Sequence, residues 1–392
     1  MGLTDPGTAT DRTLLPRHVD TEVACLDLAE RPFSVCPLFS DGMVLQRDQE
    51  NWVWGTAPRG AGVVVEVDGE RFPTRSGEDG RWRVVIRSLP VGGPYTMTVC
   101  SGGRTIAIAD ILSGDIWLCA GQSNMAMPVS QTADADVAEE LASAVDVRIR
   151  RNGTWTDITP ANVQTMPAVP FFFAAELCAL QNKPIAVVVA AKGGTGIEAW
   201  LPREAFPDTV RGRTLGPVAD DPAASQAAEE DEVKFLPYGQ HRLARWGLGR
   251  ALPEALFRTV VEPLVGIPID GILWYQGESN ADTLEIAREY RTWLEALIET
   301  YRASWGDPKL PFAVVQLPEY RPDSHDGRAA WKLLQEAQAS AVESTTGTAL
   351  VATTGLGDLG DIHPKQKCDV GRRAAQVACA LQNTKNNERP ER

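Results

Sequence analysis

Four short stretches carry the residue types that acyl-transfer chemistry requires. They are "GQSNM" (121–125), "KGGTGIEAW" (192–200), "QGESN" (276–280) and "GLGDLGDIHP" (355–364). Together they hold a hydroxyl, a base, a carboxylate and backbone or amide donors able to face an oxyanion. Ser123 follows Gly121, a residue that lets the chain turn tightly off an apolar run. The same position at a helix start suits a serine that merely caps the helix, so chemistry and capping both remain open for it. The chain has four histidines: His18, His241, His325 and His363. His363 has Asp361 two residues before it and a proline after it, whereas His325 lies between Asp323 and Asp326, and both are candidates for the base. Dispersed histidines and unpaired cysteines lack the close spacing of zinc ligands, so no metal and no cofactor is expected. "GQSNM" has Met125 where the nucleophile elbow of α/β-hydrolases has its second glycine.

The elements around these stretches explain why they should meet. From 113 onward, apolar runs such as "DIWLCA", "PIAVVVAA", "GILWY", "FAVVQL" and "GTALVAT" alternate with helical patterns. That alternation predicts an α/β domain with a parallel sheet covered by helices over about 113–385, and a tail at 386–392. Each chemical stretch follows one of these strands, and ligands of such sheets bind beyond the strands' carboxyl ends. Before it, residues 37–112 show short alternating runs separated by Asp68-Gly69, Asp79-Gly80 and Gly102-Gly103, the pattern of a small antiparallel β-sandwich. Residues 1–36 form an N-terminal segment, and an acidic, Ala-rich excursion interrupts the larger domain at about 204–250.

Composition narrows the function classes. A hydrophobic fraction of 43% and a charged fraction of 23% are those of a soluble globular protein, without an apolar run able to span a bilayer. A formal net charge of −14 repels phosphate backbones, so neither nucleic acid nor membrane is an expected partner. Seven cysteines without paired spacing and no signal-like leader in this sequence point to a reduced, cytoplasmic protein, with a secreted one as the alternative if a signal peptide has been removed.

The ordered blocks "PLFSDGMVLQRD", "GDIWLCAGQSNM", "KGGTGIEAW", "GILWYQGESN" and "DIHPKQK" resemble the SGNH (GDSL-like) hydrolase superfamily, in its sialate O-acetylesterase and carbohydrate acetylesterase branch. The resemblance implies a flavodoxin-like SGNH fold and a metal-independent serine esterase acting on an acetylated sugar or glycan. It implies Ser123 as nucleophile, His363 as base and Asp361 as the acid that orients it. The oxyanion donors it implies are the N–H groups of Ser123 and Gly194 and the Gln276 amide. The superfamily's usual acid lies three residues before the histidine, where this chain has Gly360, with Asp361 and Asp358 on either side. Trp200 beside the second block is a candidate platform for a sugar ring. Rival readings are an acetylxylan-type or short-chain lipid esterase on the same scaffold, and a non-catalytic glycan-binding protein. The sequence leaves the oligomeric state open.

Overall fold

The computed structural model describes residues 31–206 and 253–387; His18, His241 and most of the 204–250 excursion lie outside them. The first strands are β1 Ser34–Val35, β2 Val44–Gln46, β3 Asn51–Thr56, β4 Gly62–Val67, β5 Glu70–Arg75, β6 Arg81–Ile86, β7 Gly92–Ser101 and β8 Arg104–Gly121. They form a three-stranded antiparallel layer, β1-β3-β6, and a second layer ordered β5-β4-β7-β8. The expected hairpins form at Asp68-Gly69, joining β4 to β5, and at Gly102-Gly103, joining β7 to β8. Asp79-Gly80 instead carries the chain from β5 in one layer to β6 in the other. β2 adds to β8 in parallel, the one departure from an antiparallel layout among these pairings.

β8 is 18 residues long and serves both halves of the molecule. Its first half pairs with β7, and from Asp115 to Gly121 it pairs in parallel with later strands. The expected division at 112/113 therefore falls inside one continuous strand. The burial pattern changes there too, from alternating to fully buried, as expected where a sheet becomes covered on both faces.

The remaining strands are β9 Val147–Arg151, β10 Thr154–Asp157, β11 Ile185–Ala191, β12 Gly271–Tyr275, β13 Phe312–Val315 and β14 Thr348–Val351. Their order is β10-β9-β11-β8-β12-β13-β14, all parallel except β10. Side chains alternate between faces along a strand, yet every residue of β12 and β13 is buried, so both faces are covered. The helices are α1 Ser123–Ala126, α2 Ala135–Ala142, α3 Ala168–Gln181, α4 Leu284–Trp305, α5 His325–Ser344 and α6 Lys367–Asn387. α3 packs on α6, and α4 on α5. α4 starts where the Thr283 hydroxyl accepts the Ile286 N–H and stops at Gly306 in the left-handed region. The chain reverses its direction across the sheet at β8 and β12, which opens a crevice at their carboxyl ends. None of the described helices is long and apolar enough to cross a membrane.

Candidate active site

Gly121 ends β8 at φ +147°, and a Cβ there would stand 2.0 Å from the Tyr275 carbonyl oxygen of β12. Only glycine lets these two strand ends close so tightly. The next residue, Gln122, donates its N–H to that same oxygen at 3.1 Å and then accepts from Met125 and Ala126, forming the single turn of α1. Ser123 is the first residue of this turn, and the N-cap position is held by Gln122. The Ser123 hydroxyl is thus not spent on capping. Its Oγ lies 2.8 Å from His363 Nε2. A four-residue turn has little macrodipole, so only the local N–H groups of the turn face the reacting atom.

His363 comes from the loop after β14. Two N–H groups of that loop, from Gly355 and Gly357, are held by the Glu319 carboxylate at 2.8 and 3.1 Å. Asp361 Oδ1 accepts the His363 backbone N–H at 2.8 Å and stands 3.9 Å from its Nδ1, outside hydrogen-bond reach. A carboxylate two residues before an N–H is well placed for that local turn bond, which is why it is engaged by the main chain rather than the ring. Asp358 Oδ1 accepts the Gly360 N–H in the same way. Burial holds the imidazole below its ordinary pKa; Asp361 opposes this, and Lys367 and Lys365 reinforce it. His363 is therefore neutral at neutral pH, and in the tautomer with its proton on Nδ1 its Nε2 can accept from Ser123. His325, the other candidate base, begins α5 with an 89% exposed side chain beside Asp326.

The second and third loops meet beside this pair. Lys192 N–H donates to the Gly121 carbonyl at 3.0 Å, which brings Gly193 and Gly194 alongside the serine turn. Gly194, at φ +72°, is partly exposed. Gln276 is placed differently from the role implied for it. Its Nε2 donates to the Thr195 carbonyl at 3.0 Å and to Asn280 Oδ1 at 2.7 Å, and its Oε1 accepts from Tyr290 at 2.8 Å. The residue has 0% exposure, so an oxygen the size of a water cannot touch it. Gln276 braces the loops from within. Trp200 must be corrected as well: it is 0% exposed, donates to Thr195 Oγ1 at 3.1 Å and stacks edge-on against Trp274 at 5.8 Å. It is core, not a sugar platform, because its indole fills the space beneath the second loop.

Two further residues at the site escaped sequence reasoning. Asn124 donates to Glu278 Oε1 and, at 3.0 Å, to the Ile362 carbonyl, joining the serine turn to the histidine loop. Lys367, fully buried at the start of α6, donates to Asn124 Oδ1 at 2.6 Å. Adjacency to Ser123 and His363 was the available signal, but nothing in a lysine's surroundings along the chain shows that it is buried.

Comparison with known proteins places the chain in a family. The solved carbohydrate acetylesterase from Xanthomonas citri superposes with a TM-score of 0.76 at 31% identity, over 90% of this chain and 75% of that one. Sialate O-acetylesterase of Mus musculus is 29% identical over 71% of this chain, which spans 59% of that protein's length. Sialate O-acetylesterase of Homo sapiens is 27% identical over 89% of this chain and 71% of its own. The family model described as carbohydrate esterase, sialic acid-specific acetylesterase, matches residues 113–214 and 235–380, and the chain belongs to that family.

Proposed function

We propose that the protein hydrolyses O-acetyl esters of a carbohydrate through an acetyl-enzyme on Ser123. The observation that carries this reading is the 2.8 Å contact between Ser123 Oγ and His363 Nε2, with the imidazole held neutral. As Oγ bonds to the acetyl carbon, its proton passes to Nε2 and the carbonyl electron pair moves onto oxygen. The N–H groups of Ser123 and Gly194 are the donors for that oxyanion, and each such donor contributes about 3 kcal/mol to the transition state. Collapse breaks the bond to the sugar oxygen, which leaves with the Nε2 proton. Water then repeats the sequence, losing its proton to Nε2, and acetate departs as Oγ recovers one. Asp361 supports the imidazolium through space. That the relatives bear the names of carbohydrate and sialate O-acetylesterases supports a sugar as the alcohol half.

Ser123→Ala and His363→Ala, assayed on an aryl acetate and on O-acetylated sialic acid and xylan, test the reading. Loss of at least about a thousandfold in kcat/KM is expected for both, with unchanged melting. A fluorophosphonate should label the parent at Ser123 and leave the alanine variant unlabelled. Parent-like turnover by Ser123→Ala would remove the mechanism.

A further inference from the structure

Behind the serine and histidine lies a buried chain of groups that the acyl-transfer steps do not use. Lys367 Nζ donates to Asn124 Oδ1, while Asn124 Nδ2 donates to Glu278 Oε1 and to the Ile362 carbonyl. Lys367 and Asn124 are 0% exposed and Glu278 is 3% exposed. The ammonium also lies 5.4 Å from the centre of the Tyr275 ring. This is an unfavourable place for a cation, since burial strips its water and the N-terminus of a 21-residue helix carries positive charge. That helix end is already satisfied by Asp134 Oδ2, which accepts from Lys367 N and Cys368 N at 3.1 and 3.0 Å, so the lysine side chain is not needed to close it. A costly buried group that donates to the residue beside the nucleophile and lies four positions after the base points to function.

We propose that Lys367 is a positioning residue: through Asn124 it locks the Ser123 turn to the His363 loop and holds a positive charge behind the pair. The proposal rests on the esterase reading above. The charged groups around the imidazole are Asp361 and Lys365 on its own loop and Lys367 on α6; across the relay stand Glu278 and the Tyr275 ring. Burial brings Lys367 down to about 7, opposed by Glu278 and Asp361, so it is still charged over the range below 6.5 where the imidazole titrates.

Three variants separate the relay from the charge, each measured as a pH profile of kcat and KM on an aryl acetate, with melting followed in parallel. Lys367→Met should lose at least about tenfold in kcat with little change in KM, and its acid limb should move up by about 0.5 pH unit or more. Lys367→Gln keeps a donor for Asn124 without charge, so it should recover part of kcat while retaining the raised acid limb. Asn124→Ala leaves the charge in place, so kcat should fall with the acid limb unmoved. A folded Lys367→Met with parent kcat, or with lowered kcat and an unshifted acid limb, overturns the proposal. If neither lysine variant folds, Asn124→Ala decides, and parent-like kcat there overturns it. Ser123→Ala in the same assay keeps the two questions apart, because parent-like turnover by that variant would sink the esterase reading instead.

Discussion

A carboxylate 3.9 Å from Nδ1 acts on an imidazole by charge rather than by a shared proton, and this sets what Asp361 contributes. Its negative charge favours the imidazolium that forms as Ser123 attacks, but it does not fix the ring's tautomer. Asp361→Asn should therefore lower kcat/KM by about 10- to 100-fold, well short of the loss in Ser123→Ala, and should move the acid limb to lower pH because a group that favours His363 protonation is gone. Asp358→Asn should change neither. If Asp361→Asn is as damaging as Ser123→Ala, the carboxylate must rotate onto Nδ1 during turnover. The meeting of Ser123 and His363 was legible because strand ends dictate where their loops converge. Gln276 and Trp200 were not. Their side chains turn inward to satisfy Thr195, Asn280 and Tyr290, and a loop sequence does not state which of its side chains face the cleft.

The contact between β8 and β12 at Gly121 governs the site at the level of elements. Gly121→Ala would push a methyl to within 2.0 Å of a backbone carbonyl in a conformation that disfavours side chains, so neither strand can yield cheaply. We expect a loss of more than about 3 kcal/mol, seen as a fall in the urea midpoint, together with loss of esterase activity. Stability equal to the parent would mean that the two strands separate without cost, and the close approach would not be what shapes the serine turn. Most elements could be read in advance because all-apolar runs and helical periodicity are strong signals over five or more residues. The length of β8 could not. The change of pattern after Leu112 reads as a boundary between domains, yet the strand runs on through Gly114, where a Cβ would meet the Pro184 carbonyl at 2.3 Å. The serine helix shrank to one turn for a related reason, as Pro128 follows too soon for a second.

The sandwich and the parallel sheet are joined by more than the shared strand, and the junction lies at the amino ends of the strands, opposite the cleft. Arg47 Nε and Lys183 Nζ each stand 2.5 Å from the fully buried Asp115 carboxylate. Gln46, beside Arg47, accepts the Ile116 N–H at 2.9 Å and donates to Asp270 Oδ2 at 2.9 Å. Two carboxyls in one buried site cannot both ionise cheaply. Burial and then the Asp115 charge push Asp270 up to about 7, while Asp115 falls below its usual value; burial opposes that fall, and Asp270, Lys183 and Arg47 bring it about. For Asp270 the folded pKa exceeds the unfolded one, near about 4, so its stabilisation is complete below that value and is lost as pH rises through 7. Asp270→Asn mimics the protonated carboxyl, donating to Asp115 and accepting from Gln46 at every pH. Melting temperature measured from pH 5 to 9 should therefore show the parent declining through neutrality, and the variant flatter and more stable at the alkaline end. Equal destabilisation of the variant across that range would mean that Asp270 is ionised and paired in the folded protein, and that the junction holds two charges rather than one and a proton.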